Sequence, residues 1–404
     1  MNKLTLLALL LYISSFAQSK QEIKEAKERR EKYLFATEAT PKKFRTTVVG
    51  EYMLDEMLIP VTINGKTYHF IFDTGAVTVV SPELAAALGL QQVTSNEIID
   101  AAGVKTQEKI FMIDAVELPG VTFSKVSCAS MSMDAFSTAL CSRVDGLLGT
   151  NIMRLGNCKI DYNNHTVTLS TDKIKPDFEY DIVDFEHNFS DSPIVYLIAG
   201  DTRFPALIDS GNNRSVDVPD TIYKMMKFPK TSFTRKSHGR SSFALSGNSD
   251  QTEMAVRADS LYFGDILLRR QRLHISPSSQ ILIGNKFLKQ FGQVIISWDK
   301  SKIYVPKQTV PQETEYDFGF TPFIENGKMV VVEIWEGSGA QEKGIAINDV
   351  ILKINDLDVS IMTAELWCEF LQKTKNLKSV GVEILKPDGN RKFIELNRFE
   401  LLKP

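Results

Sequence analysis

Two short acidic motifs are the residues of this sequence best suited to carry out chemistry. Asp73-Thr74-Gly75 and Asp209-Ser210-Gly211 each follow an apolar run, and each combines a carboxylate, a hydroxyl and a glycine. A carboxylate at the end of a buried strand is costly unless hydrogen bonds or a shared proton relieve it. If the two aspartates meet, one can hold a proton while the other stays charged, which places a general acid beside a general base.

The sequence around the two motifs repeats in the same order. A predicted β-hairpin precedes each motif, and the one before Asp73 turns at Asn64-Gly65, a strong signal for a two-residue turn. Each motif is followed, at nearly the same distance, by two apolar residues and a glycine, at Gly149 and Gly284. An internal repeat with matched order and spacing predicts two lobes of one design.

This repeat resembles the two-lobed aspartic proteases, pepsin-like in its duplication and retropepsin-like in the motif Asp73-Thr74-Gly75-Ala76. The resemblance implies a mainly β fold with two pseudo-symmetric lobes, at residues 46–172 and 173–307. It also implies that Asp73 and Asp209 form a catalytic dyad that activates a water molecule to hydrolyse peptide bonds, with no metal and no organic cofactor. The residues implied to support the two catalytic loops are Thr74, Gly75, Ser210 and Gly211.

The chain departs from the family pattern in two places. The second motif ends in Asn212, where the family more often has Thr, Ser or Ala, and this puts the efficiency of that half of the site in doubt. The predicted hairpin from Ile98 to Ile113 would be the flap, and it lacks the Tyr that pepsin-like flaps carry near the tip. Its tip, Ala101-Ala102-Gly103, is more similar to a retropepsin flap. Lobes without catalytic activity are the alternative.

Residues 308–404 resemble a small α+β domain of the bacterial PDZ type. The resemblance lies in Phe318-Gly319-Phe320 and in the run from Gly337 to Asn355. It implies that the backbone amides around Gly319 hold the C-terminal carboxylate of a peptide, while the adjacent strand edge pairs with that peptide. The alternative is a PDZ fold that only packs against the protease lobes.

The N-terminal residues predict export to the periplasm or the cell exterior. Lys3 is followed by an apolar run and then by small residues at Ser15 and Ala17, a pattern typical of a signal peptide over residues 1–17. An uncleaved anchor or a core helix is the alternative. Residues 18–45 are predicted to form a charged helical lead-in. No later segment is long and apolar enough to make a stable membrane span.

Export also permits disulfide bonds. Cys128 and Cys141 flank a stretch rich in Met and Ser and are the candidate pair, whereas Cys158 and Cys368 lie in apolar patterns typical of core residues. Four free thiols are an equally open alternative, because four cysteines allow several pairings.

Composition and the remaining motifs argue against two other classes of function. A net charge of −3, with 43% hydrophobic and 24% charged residues, describes a globular protein and argues against nucleic-acid binding. None of the five histidines lies in a recognisable nucleophile motif with a Cys or Ser.

We therefore predict a monomeric aspartic endopeptidase that acts on protein or peptide substrates, with a PDZ domain that binds peptide tails or regulates access. Catalytically silent lobes with a working PDZ domain, acting as a peptide-binding adaptor, are the alternative. A structural envelope protein with neither activity is a third reading.

Overall fold

The computed structural model describes residues 24, 27–28, 30–99, 105–226, 233–240, 251–276, 280–307 and 316–403. The predicted signal peptide and the predicted flap tip, Ala101-Ala102-Gly103, lie outside these residues. The fold is mostly β, as the sequence predicts. Within the described ranges, no helix is long and apolar enough to cross a membrane.

The first half of the chain begins with part of the charged lead-in, which forms a π-helix at Arg30–Leu34. The first strand already begins at Glu38, ahead of the domain start that the sequence predicted at residue 46. The strands are β1 (Glu38–Thr40), β2 (Arg45–Val49), β3 (Glu51–Met53), β4 (Glu56–Ile63), β5 (Lys66–Phe72), β6 (Val79–Val80), β7 (Gln92–Ile99), β8 (Lys105–Leu118), β9 (Val121–Ser130), β10 (Gly146–Leu148), β11 (Asn157–Asp161) and β12 (Thr166–Ser170). The helices are α1 (Pro82–Ala87), α2 (Asp134–Leu140) and α3 (Thr150–Met153).

Most of these strands form one sheet, in the order β1, β9, β6, β10, β5, β4, β8, β7, with β3 beside β4. Asn64 and Gly65 both have positive φ and make the tight turn between β4 and β5, so this hairpin forms as predicted. β7 pairs along its length with the first part of β8, so the predicted flap hairpin begins at Gln92 rather than at Ile98. Phe70 and Phe72, on one face of β5, are fully buried in the core.

The second half of the chain repeats the hairpin that ends at an aspartate. Its strands are β13 (Tyr180–Asp184), β14 (Glu186–His187), β15 (Pro193–Ala199), β16 (Thr202–Ile208), β17 (Val216–Pro219), β18 (Thr234–Gly239), β19 (Gln251–Phe263), β20 (Ile266–Ser276), β21 (Leu282–Ile283), β22 (Gln293–Ser297) and β23 (Lys302–Pro306). The helical segments are α4 (Asp220–Met225), α5 (Asn285–Leu288) and 3₁₀ turns at Lys289–Phe291 and Trp298–Lys300.

A second sheet joins the two halves. Its order is β13, β23, β22, β11, β12, β2, so β11 from the first half pairs directly with β22 from the second. Nearly all residues of β11, β12 and β22 are buried, among them Ile160, Val167 and Ile296. The halves are therefore built into one body by backbone hydrogen bonds as well as by packing.

Along the chain, the C-terminal part has strands before and after one longer helix. Its strands are β24 (Tyr316–Asp317), β25 (Phe320–Glu325), β26 (Lys328–Trp335), β27 (Val350–Ile354), β28 (Leu357–Asp358), β29 (Ser379–Leu385), β30 (Arg391–Asn397) and β31 (Phe399–Glu400). The helices are α6 (Gly339–Glu342) and α7 (Ala364–Thr374). Thr363 caps α7, with its hydroxyl accepting a hydrogen bond from the Leu366 amide.

The C-terminal part is not a loosely attached module. β18 of the second half pairs with β26, so one sheet continues from the second half into the C-terminal part. Ala255, Trp335 and Leu401 form a buried cluster across the same junction.

A disulfide connects the C-terminal part to the first half as well. It joins Cys141, directly after α2, to Cys368 in α7, with 5.5 Å between their Cα atoms. The predicted Cys128–Cys141 pair is therefore wrong, and so is the prediction that Cys368 is a small core residue. Cys128 and Cys158 are free and buried, and burial raises the pKa of the Cys128 thiol to about 12. Sequence spacing could not reveal a pairing that closes a separation of 227 residues.

Candidate active site

Each aspartate directly follows a buried strand that runs parallel to a short apolar strand. β5 pairs with β10, and β16 pairs with β21. The Asp73 amide donates to the Leu148 carbonyl (3.0 Å), and the Asp209 amide donates to the Ile283 carbonyl (2.9 Å). The same backbone geometry thus holds both motifs, as the repeat in the sequence predicts.

The structure brings the two carboxyl groups together. They share a side-chain hydrogen bond, and each lies against the glycine of the opposite motif. A Cβ atom on Gly75 would come within 2.6 Å of the Asp209 carboxyl carbon, and one on Gly211 within 2.5 Å of the Asp73 carboxyl carbon. Contacts this short exclude a side chain, so only glycine permits this approach.

Thr74 and Ser210 lock the two loops together, and both are buried. The Thr74 hydroxyl donates to the Ile208 carbonyl (2.8 Å) and accepts from the Ser210 amide (3.0 Å). The Ser210 hydroxyl donates to the Phe72 carbonyl (2.7 Å) and accepts from the Thr74 amide (3.0 Å). Each hydroxyl therefore satisfies two backbone groups of the opposite half, and the two aspartates cannot separate without breaking four buried hydrogen bonds.

Two backbone amides donate to the Asp73 carboxyl group, but only one donates to that of Asp209. Asp73 Oδ1 accepts from the amides of Gly75 (2.7 Å) and Ala76 (3.1 Å). Asp209 Oδ1 accepts from the Gly211 amide (3.0 Å), while the Asn212 amide donates to the Asp209 backbone carbonyl (3.2 Å). Amide donors stabilise a charged carboxylate, so this arrangement favours a negative charge on Asp73.

Burial and mutual repulsion complete the electrostatics of the pair. Burial raises the pKa of Asp73, and the Gly75 amide opposes that rise. Burial and then the charge of Asp73 hold the pKa of Asp209 well above its usual range. The pair therefore shares one proton, which Asp209 holds more firmly than Asp73.

Another carboxyl group, which the sequence reasoning missed, is buried close to this pair. Glu56, the first residue of β4, is only 3% exposed. Its Oε2 atom accepts from Asn285 Nδ2 (3.3 Å). Burial, followed by the charges of Asp209 and Asp73, holds the pKa of Glu56 well above its usual range. The only signal in the sequence was an acid directly ahead of an apolar strand, which does not predict burial.

Asn212, the departure from the family pattern, has a defined structural role. Its Nδ2 donates to Asp217 Oδ2 (2.6 Å), and its Oδ1 accepts from the Arg214 amide (2.9 Å). Arg214 Nη1 lies 3.2 Å from both Asp217 Oδ1 and Glu253 Oε2. The loop that carries Asp209 is therefore anchored to a buried ion-pair cluster, which the sequence did not predict.

The predicted peptide-binding residues of the C-terminal part are brought together at the start of β25. Phe320 is buried in the core, and Phe318 packs against that core. The Gly319 amide donates to Asp317 Oδ1 (2.5 Å) of the same chain. An amide that the sequence resemblance assigned to a peptide carboxylate is thus occupied by the protein's own carboxylate.

A second group of polar side chains, around His187, also escaped the sequence reasoning. His187 Nδ1 lies 2.7 Å from Asp191 Oδ1, and His187 Nε2 lies 2.9 Å from Ser301 Oγ. A serine nucleophile also needs amide donors for the oxyanion, and the Ser301 amide donates to the Trp298 carbonyl (3.3 Å). We therefore interpret this chain of hydrogen bonds as structural, tying the loop after β14 to the turn after β22.

Comparison with known proteins bears on the first half of the chain. Residues 59–152 match the model of a family described as aspartyl protease. The matched range includes Asp73 and the segment around Gly149 but not Asp209. No curated protein sequence matches the chain.

Two solved structures are similar to the chain at low identity. One is a retropepsin-like aspartic protease from Rickettsia conorii, with 18% identity over 33% of this chain and 92% of that one, and a TM-score of 0.22. The other is an aspartic proteinase from Irpex lacteus, with 12% identity over 66% of this chain and 98% of that one, and a TM-score of 0.37. The family match identifies an aspartyl protease domain in the first part of this chain.

Proposed function

We propose that this protein is an aspartic endopeptidase whose two lobes contribute one catalytic aspartate each. The observation that carries the proposal is that the buried carboxyl group of Asp73 meets the half-buried carboxyl group of Asp209 across interlocked loops. Two backbone amides donate to Asp73 and favour its charge, whereas the raised pKa of Asp209 favours its proton. Asp73 would act as the general base and Asp209 as the general acid.

In the proposed reaction, Asp73 takes a proton from a water molecule, and the oxygen of that water attacks the scissile carbonyl carbon. Asp209 donates its proton to the carbonyl oxygen, which gives a neutral tetrahedral intermediate. The C–N bond then breaks as the proton that Asp73 took passes to the leaving amine, and a proton returns to Asp209 from the intermediate. Water adds across the peptide bond, and the pair ends with the one proton it began with.

The test is cleavage of an unfolded protein by the wild type and by the D73N, D209N and D184N variants. Asp184 is exposed and paired with Lys302, so D184N controls for the loss of one aspartate. We expect D73N and D209N each to lose activity by at least about 10³-fold, while D184N cleaves normally. Full activity in D73N, with all four proteins equally folded by circular dichroism, would contradict the proposal. Binding of peptide tails without any cleavage would favour the adaptor alternative.

We also propose that residues 308–404 form a PDZ domain and that the protein is exported as a monomer. Binding of peptides with a free or an amidated C-terminus tests the PDZ proposal, because a carboxylate-binding loop must discriminate between them. Mass spectrometry of the protein from its native host tests export, and we expect the mature chain to begin at Gln18. An intact residue Met1 would contradict processing.

A further inference from the structure

Glu56 is a buried acid near the aspartate pair that the proposed reaction does not use. Taking a carboxyl group out of water costs free energy, so its position calls for a physical reason. Its contacts provide one. Glu56 Oε2 accepts from Asn285 Nδ2 at 3.3 Å, and Asn285 is fully buried. On its other side, Asn285 Oδ1 accepts from the hydroxyl of Tyr162 at 2.8 Å.

Asn285 in turn holds the second catalytic loop. Its Nδ2 donates to the carbonyl of Ser210 at 2.6 Å. Ser210 directly follows Asp209, and its hydroxyl and amide belong to the interlock with Thr74. The chain of hydrogen bonds from Glu56 through Asn285 therefore ends on the residue adjacent to Asp209.

The orientation of the Asn285 amide decides whether this chain can form. Rotating the amide by half a turn would place Oδ1 against the Ser210 carbonyl, where two acceptors would face each other. Glu56 offers an acceptor where Nδ2 must lie, and Tyr162 offers a donor where Oδ1 must lie. The two neighbours thus select the orientation in which Nδ2 reaches Ser210.

The first half of the molecule has no such requirement at the equivalent position. Thr150 occupies it, since its amide donates to the Ala76 carbonyl (2.9 Å) as the Asn285 amide donates to the Asn212 carbonyl (2.7 Å). The Thr150 hydroxyl donates to the Ser190 carbonyl (2.7 Å) and also lies 3.2 Å from the Ala76 carbonyl. A hydroxyl rotates freely to suit its acceptor, so a neighbouring acid is needed only beside Asn285.

We propose that Glu56 is a positioning residue for the aspartate pair: with Tyr162 it fixes the Asn285 amide so that Asn285 holds the loop that carries Asp209. This inference rests on the proposed function. It names a residue that lies outside both Asp-hydroxyl-Gly motifs and that acts through Asn285 rather than on the substrate.

The charges around Glu56 favour its neutral form. The acids near it are Asp55, Asp73 and Asp209, and all three raise its pKa. Among the other titratable groups nearby, Lys289 pairs with Asp55 (2.7 Å), and Tyr52 also donates to Asp55 (3.3 Å). A neutral Glu56 still offers its carbonyl oxygen to Asn285. Glutamine offers the same acceptor without a charge, whereas leucine of similar size offers none.

The experiment measures kcat and KM for a peptide substrate with E56Q, E56L, N285A and the double variant E56L/N285A. We expect E56L to lower kcat by about tenfold or more with KM nearly unchanged, because the loop that carries Asp209 is displaced. E56Q should stay within about threefold of the wild type, with an unchanged pH profile. The double variant should be no slower than N285A alone, because Glu56 acts through Asn285.

Two results would overturn the inference while leaving the proposed function intact: an E56L variant as fast as the wild type, or an E56Q variant as slow as E56L. A wild type that cleaves nothing would instead overturn the proposed function.

Thermal unfolding then tests whether Glu56 and Asn285 act as one chain of hydrogen bonds, and this test does not require activity. We expect E56L and N285A to lower Tm by non-additive amounts, and the Tm of E56Q relative to wild type to rise from pH 5 to pH 8. Additive losses in Tm would exclude the chain.

Discussion

At the scale of single residues, each motif glycine packs directly against the opposite aspartate. A methyl group on Gly211 would overlap the Asp73 carboxyl, which is itself held by two backbone amides. We expect G211A to reduce cleavage by at least about 100-fold, because the two carboxyl groups must move apart. Activity assays check this, with G339A as the matched control, since a Cβ on Gly339 has its nearest neighbour at 4.0 Å. Equal activity of both variants would contradict the expectation.

The raised pKa of Asp209 has a consequence for stability. The folded protein holds a proton that the unfolded chain releases above pH 3.8, so stability falls as pH rises from that value towards the folded pKa. We expect D209N to remove this loss and to gain stability relative to the wild type by up to about 1.4 kcal/mol per pH unit. Urea unfolding at pH 4 and pH 7 measures the difference.

The control for this pH dependence is D184N, which removes an exposed carboxyl. Its stability relative to the wild type should change little between the two pH values. If the difference in free energy of unfolding between D209N and the wild type is constant with pH, Asp209 is ionised in the folded protein. If D209N and D184N show the same change in stability with pH, the cause is a general effect of net charge.

At the scale of elements, the two loops that carry Asp73 and Asp209 depend on one pair of hydroxyls. Removing the Ser210 hydroxyl leaves the buried Phe72 carbonyl and Thr74 amide without their partner. We expect S210A to lower the free energy of unfolding by about 2 kcal/mol and to reduce kcat, whereas S210T keeps the hydroxyl, as Thr74 does in the first loop. Denaturant unfolding and kinetics measure both effects. Equal losses in S210A and S210T would show that packing, not the hydroxyl, sets the loop.

Local chemistry explains why these loops were predictable from sequence. Asn64 and Gly65 adopt the positive φ values of a tight turn, and an apolar strand then leads into Asp73. The same reasoning located Asp209, since the second hairpin ends in the same way. Both are short-range patterns in which neighbouring residues decide the outcome.

The parts that the sequence did not predict depend on contacts between distant residues. Glu56 is buried against Asn285, which lies 229 positions later and donates a hydrogen bond to it. Cys141 pairs with Cys368 because α2 and α7 meet in space. The pairing of β18 with β26, likewise, has no local signal, since any exposed strand edge offers the same backbone groups.

At the scale of the whole molecule, the disulfide between Cys141 and Cys368 ties the first half to the C-terminal part. Cross-linking residues this far apart stabilises a chain by about 5 kcal/mol in the chain-entropy model. We expect reduction to lower the Tm of the wild type and to leave the C141S/C368S variant unchanged. The denatured, unreduced wild type should expose two reactive thiols, from Cys128 and Cys158. A disulfide peptide that contains Cys128 would contradict this pairing.

The continuous sheet makes a stronger prediction about the C-terminal part. Pairing of β18 with β26 and the cluster of Ala255, Trp335 and Leu401 bury the face that a separate domain would leave open. A chain that ends at Lys307 would expose Ala255 and leave one edge of β18 unpaired.

We therefore expect this truncated chain to melt well below the full-length protein and to aggregate, because an unpaired strand edge and exposed apolar surface both favour self-association. The matched control is the full-length C141S/C368S variant, which loses the disulfide but keeps the packed junction. Calorimetry and light scattering compare the three proteins. A truncated chain that melts with the control, stays monodisperse and cleaves substrate at the wild-type rate would mean that residues 308–404 are an independent module. A truncated chain less stable than the control would mean that the second half depends on its C-terminal neighbour for part of its stability.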